Sequence, residues 1–115
     1  MGLFNLFKND AGHDGRMTPA EFVRNPDPNA VVIDVRTPAE YRAGHVRGAR
    51  NVDVSAPDFR QQVSALDPAG TYYLYCRSGA RSGNATQIMR SLGFEQAHNL
   101  GGIGPLVQAG AEVVY

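Results

Sequence analysis

Two stretches of the chain are continuously apolar rather than alternating, residues 30–35 (AVVIDV) and 71–76 (TYYLYC). Runs of β-branched and aromatic residues of that length suit strands buried on both faces, as in a parallel sheet. A helical period follows the second run: Ala85, Ile88, Met89 and Leu92 fall at i, i+3, i+4 and i+7, and Gly93 closes the segment. Two earlier helix starts are spelled by a repeated tetrapeptide, Thr18-Pro19-Ala20-Glu21 and Thr37-Pro38-Ala39-Glu40. In each, Thr is the N-cap, Pro takes the first helical position and Glu completes a capping box. The cluster Asn25-Pro26-Asp27-Pro28-Asn29 is a turn between the first helix and the first strand. Residues 97–100 predict a short strand, 103–109 a short helix and 113–115 an edge. Strands alternating with helices predict an α/β domain, a mainly parallel central sheet flanked by helices on both faces.

Residues 1–16 read as a tail and linker ahead of a domain spanning 17–115. Leu3, Phe4, Leu6 and Phe7 share one helical face, but so short an apolar face offers weak membrane affinity. Packing on protein, or partial disorder, is the expectation there. Residues 9–16 (NDAGHDGR) are polar and Gly-rich, as linkers are. Gly2 suggests myristoylation, which wants Ser or Thr where this chain has Leu6. There is neither an apolar run long enough to span a bilayer nor a basic leader. The expectation is a cytoplasmic protein without stable membrane insertion.

Composition changes this picture in two ways. Eleven Lys and Arg balance eleven Asp and Glu over 115 residues. A neutral single domain of ordinary composition is not a nucleic-acid binder held by bulk charge. The chain also has one cysteine, Cys76, so no disulfide can form within it and no cysteine-based zinc cage can be assembled. A lone cysteine is either an inert core residue or a reactive thiol.

Position separates those alternatives. Cys76 ends the second strand and opens a turn, Arg77-Ser78-Gly79-Ala80-Arg81-Ser82, that leads into the third helix. In parallel sheets ligands bind at such carboxyl edges, where turn amides and a helix N-terminus favour an anion. Between Pro68 and Phe94 there is no Asp or Glu, whereas Arg77, Arg81 and Arg90 are all cationic. Both features depress a thiol pKa, so Cys76 is the candidate nucleophile. Ser78 and Ser82 read either as hydroxyl donors to an anion or as turn and cap residues; for Ser82 the cap alone suffices.

The run from Cys76 to Ser82 resembles the active-site loop of rhodanese-like sulfurtransferases, in which the cysteine opens a six-residue cradle and carries a persulfide. Asp34-Val35-Arg36, Glu40-Tyr41, Gly44-His45-Val46, Gly48-Ala49 and Asn51-Val52 resemble the family's first signature. Asn99-Leu100-Gly101-Gly102, leading towards Ala109-Gly110, resembles its C-terminal one. Many members carry a tryptophan soon after the paired glycines, where this chain has Leu106 preceded by Pro105. The resemblance implies a rhodanese-like fold and gives Asp34, Arg36, Glu40 and His45 supporting roles. Asp34 is expected to bond backbone or hydroxyl groups, and Arg36 to pair with a carboxylate such as Glu40. His45 belongs to the structural signature and is not needed as a base if the thiolate forms unaided. His13 and His98 lack a second ligand at metal spacing, and Arg42, Arg47 and Arg50 are simplest as surface charges.

The activity implied is sulfur transfer from an anionic donor such as thiosulfate, through a Cys76 persulfide, to cyanide or a thiol, with a protein acceptor as a further partner. It needs no metal or organic cofactor, and with no second cysteine nothing diverts the persulfide into a disulfide. A carrier or partner-binding module without turnover is the alternative. Phosphatase or arsenate chemistry is disfavoured by a loop of six residues from Cys76 to Arg81, one short of that cradle.

Overall fold

Both repeated tetrapeptides start helices in the computed structural model, which describes residues 17–115. The tail and linker expected over residues 1–16 lie outside the described residues, as do the Leu3 to Phe7 face and His13. Helix α1 (Pro19–Arg24) and helix α2 (Pro38–Ala43) each carry a complete capping box. The Thr18 hydroxyl oxygen accepts the Glu21 amide, and Thr37 does the same for Glu40. Each Glu carboxylate in turn accepts its Thr amide, so two otherwise orphaned donors per helix are satisfied.

The apolar runs form β1 (Val31–Asp34) and β4 (Tyr72–Cys76). Together with β3 (Arg50–Asn51) and β5 (Ala97–Gly102) they make a parallel sheet in the order β3-β1-β4-β5. Successive side chains of β4 point to opposite faces, and this divides the core. Tyr72, Leu74 and Cys76 lie with Ile33 and with α3 (Phe59–Ser64) and α4 (Ala80–Ser91), through Phe59, Val63, Ala85 and Met89. Tyr73 and Tyr75 lie on the other face with Phe22 of α1, Tyr41 of α2 and Leu106 of α5 (Ile103–Gln108). The fold is therefore α/β, with helices on both faces of a parallel sheet. No helix among the described residues is long and apolar enough to cross a membrane.

Several details depart from the sequence expectations. The edge predicted near the C-terminus is β6 (Val113–Val114), and it pairs antiparallel with β2 (His45–Val46) in a sheet of its own. Strand β5 runs past residue 100 to Gly102 because a bulge absorbs one residue: Leu74 pairs with Asn99, but Tyr75 pairs with Gly101. Pro105 is accommodated because it sits in the first turn of α5, where an amide has no intrahelical partner. Leu106, which follows Pro105 in α5, is fully buried in the second core.

Candidate active site

The parallel sheet brings the carboxyl ends of β1, β4 and β5 to one edge, and the loop after β4 turns there over Cys76. Gly79 makes the turn possible with a φ of 101°, a left-handed conformation that a β-carbon opposes. The turn folds the Gly79 amide back onto the cysteine, N to Sγ 2.9 Å. Helix α4 then begins at Ala80 with Gly79 as its N-cap. Ser82 is therefore not the cap expected from its position. It lies in the first turn of α4, fully buried, with Oγ 3.4 Å from Cys76 Sγ.

These contacts oppose one another electrostatically. Burial pushes the Cys76 thiol up, since the residue has no exposed surface and a charge there loses water. The Ser82 hydroxyl and the amides of Ser82, Gly79 and Ser78 favour the thiolate and outweigh burial, leaving the pKa below that of an ordinary cysteine. Arg77, Ser78 and Ala80 form the exposed outer side of the loop.

Arg81 is committed elsewhere. Its Nη1 and Nη2 donate to the two carboxylate oxygens of Glu40 at 2.8 and 2.9 Å. The pairing of Glu40 with Arg36 expected from sequence is thereby corrected. Arg36 reaches back only two residues, to Asp34, with Nε 2.9 Å from Oδ1 and Nη2 2.6 Å from Oδ2. Planar guanidinium and carboxylate match in this fork. Arg36 Nη2 also donates to the Gly44 carbonyl, and Asp34 accepts the Arg36 amide and the Tyr75 hydroxyl. Asp34 thus bonds backbone and hydroxyl groups as expected. The Asn51 amide bridges the carbonyls of Asp34 and Arg36 and fixes the same corner.

Against protein-family models, residues 18–104 match the model described as Rhodanese-like domain. The chain belongs to that family. The rhodanese-like domain is 35% identical over 71 residues to thiosulfate sulfurtransferase PspE of Escherichia coli, covering 62% of this chain and 68% of that protein. It is 40% identical over 73 residues to the uncharacterized protein YqhL of Bacillus subtilis, covering 64% of this chain and 56% of that one. Among solved structures, a rhodanese-related protein of Thermoplasma volcanium superposes with a TM-score of 0.75 at 27% identity, over 86% of this chain and 96% of that one. An E. coli rhodanese solved with anions gives 0.63 at 30% identity, covering 74% and 96%.

Within this domain His45 is held by Tyr41. Its ring stacks on Tyr41 at a centroid distance of 3.7 Å, and its Nδ1 lies 2.9 Å from the Tyr41 carbonyl. The residue that sequence reasoning missed is Asn99. Its Oδ1 lies 2.7 Å from Ser82 Oγ and accepts the Gly101 amide at 2.9 Å. Its place in the C-terminal signature marks Asn99, but only the bulge in β5 shows what the side chain reaches.

Proposed function

We propose that this domain transfers sulfane sulfur, with Cys76 as the nucleophile. The observation that carries the proposal is the set of donors converging on Cys76 Sγ: the amides of Gly79, Ser78 and Ser82 and the Ser82 hydroxyl. They stabilise negative charge on Sγ without any base, which is what a thiolate nucleophile requires in loading and a thiolate leaving group requires in unloading. Thiolate Sγ attacks the outer sulfur of thiosulfate; a bond forms between the two sulfurs, and the sulfur–sulfur bond of the donor breaks with its electron pair leaving on sulfite. Cyanide or a thiolate then takes the outer sulfur and returns Cys76 as thiolate. The similarity to a thiosulfate sulfurtransferase supports this choice of donor.

In this reading Arg77, Ser78, Gly79, Ala80, Arg81 and Ser82 form the anion cradle. Arg81 acts through its bridge to Glu40 rather than as a free cation, and Asp34, Arg36 and His45 brace the walls. The setting we propose is the cytoplasm, where small thiols and thiol-bearing proteins are available as acceptors and Cys76 stays reduced.

Intact mass after thiosulfate treatment provides the test. The chain gains one sulfur, cyanide removes it, and Cys76→Ser gains none. A wild-type chain that takes up no sulfur overturns the proposal.

A further inference from the structure

The Ser82 hydroxyl has one proton and four acceptors within reach. Asn99 Oδ1 is nearest at 2.7 Å, followed by the Gly79 carbonyl at 3.2 Å and by Cys76 Sγ and the Gly101 carbonyl, each at 3.4 Å. The orientation of the Asn99 amide is not free. The Gly101 N–H must meet an acceptor, which places Oδ1 towards Gly101 and Ser82 and turns Nδ2 towards the Gly79 carbonyl at 3.4 Å. The bulge at Leu100 holds this arrangement by setting Gly101 opposite Tyr75 and Gly102 opposite Cys76.

We propose that Asn99 is a positioning residue that competes with the Cys76 sulfur for the Ser82 proton, holding it while Sγ is uncharged and releasing it when Sγ is a thiolate. The physical reason is that a hydrogen bond to a charged acceptor is roughly twice as strong as one to a neutral acceptor. A thiolate therefore draws the hydroxyl away from the amide oxygen, but the bond to Asn99 is lost in the exchange. That loss trims the stabilisation of the thiolate and keeps it more reactive than the cradle alone would leave it. This inference rests on the persulfide reading for its kinetic consequence. In the persulfide the charge sits on the outer sulfur, so Sγ is neutral and the proton returns to Asn99. Thiolate is the reactant in loading and the leaving group in unloading, so Asn99 acts on the two half-reactions in opposite directions.

The charged groups around the sulfur are Arg81 on α4, held by Glu40 on α2, Arg77 in the loop, and Asp53 beyond β3, which interacts with Arg81. Strand β5 brings Asn99 to this face, whereas its titratable residue, His98, lies against Tyr73 on the other. A change at Asn99 thus leaves the surrounding charges in place.

The experiment is the pH dependence of iodoacetamide alkylation in wild type, Asn99→Leu, Asn99→Asp, Ser82→Ala and the double variant Ser82→Ala/Asn99→Leu, a readout that needs no sulfur transfer. Asn99→Leu lowers the alkylation midpoint by about half a pH unit, the scale of one modest hydrogen bond. Asn99→Asp keeps the acceptor and adds charge, so its midpoint rises. In the Ser82→Ala background the leucine has no effect. An equal shift with and without Ser82, or no shift in either Asn99 variant, overturns the assignment. Should Asn99→Leu fail to fold, Asn99→Asp carries the same test: beside Ser82→Ala only the direct repulsion between carboxylate and thiolate remains, so the rise is smaller there, and an equal rise with and without Ser82 overturns the assignment. In single turnovers above the midpoints, Asn99→Leu loads from thiosulfate about twofold more slowly and unloads to cyanide faster; both rates falling together overturns the competition. Shifted midpoints with no sulfur uptake by any chain uphold Asn99 and overturn the function proposed above, while normal uptake with unmoved midpoints does the reverse.

Discussion

The Glu40 carboxylate accepts the Thr37 amide and hydroxyl within α2 and both terminal nitrogens of Arg81 on α4. Arg81 holds its pKa down to about 2, against 4.5 for an ordinary carboxylate, with burial opposing the shift and the Thr37 bonds assisting it. A depressed carboxyl pKa stabilises the fold fully above 4.5 and loses that contribution as pH falls towards about 2. Glu40→Gln is expected to lower stability at neutral pH by on the order of 1 kcal/mol, because the pair is partly exposed. Thermal melts will show the gap to wild type closing as pH falls through that window; a gap independent of pH would remove the ion pair from the account. At this scale Cys76 and its turn are legible from sequence, since a glycine and flanking arginines around a lone thiol are local signals. The partners of Arg36 and Arg81 are not. Both arginines have Asp34 and Glu40 among their candidates, and only the packing of α2 against the loop assigns one carboxylate to each.

The element that supports the loop is β5, and it does so with backbone. A β-carbon at Gly102 would stand 2.6 Å from the Arg77 carbonyl oxygen and 3.3 Å from Ser78 Cα, both main-chain atoms that cannot swing aside. Gly102→Ala must push the loop off the strand. We expect a stability loss of about 1–3 kcal/mol and sulfur loading slowed by tenfold or more, on the order expected when reacting groups are misplaced. Gly104→Ala is the control, since nothing lies within 4 Å of that site. Equal loading rates in the two variants would refute the backstop. Helix α4 is legible from its apolar period and β4 from its aromatic run. The two-residue strands β2 and β3 carry no period to read. Helix α3 makes no side-chain cap bond at Asp58, so its start has no signature and only Phe59 and Val63 mark its buried side.

Across the molecule, Tyr75 ties the two sheets together. Its hydroxyl is buried, donates to Asp34 at 2.8 Å on β1 and accepts the Val46 amide at 2.9 Å from β2. Burial raises its own pKa above the ordinary tyrosine range, so it remains a neutral donor at any working pH. Tyr75→Phe leaves the buried Val46 N–H without that acceptor and is expected to cost about 1–3 kcal/mol in urea unfolding. An unchanged midpoint would show that water replaces the hydroxyl and that the sheets are joined by other contacts. Alternating helices and strands make the α/β class readable from sequence. The small second sheet is not, because it pairs residues 45–46 with 113–114 across most of the chain.

The complete burial of Cys76 has a consequence for damage as well as for chemistry. Cys76 Sγ, with no exposed surface, cannot itself bond to the thiol of another macromolecule unless the loop opens, a limit that does not apply to the outer sulfur of a persulfide, and the sequence has no second cysteine. Neither route to a protein disulfide is therefore open as a resting oxidised form. A sulfenic acid formed by a small oxidant would find no second thiol in this chain and would depend on a small thiol to condense with, since further oxidation to sulfinic and sulfonic acids is irreversible. Protection against that loss rests on the walls of the cradle, which control what can reach the sulfur, rather than on a resolving partner.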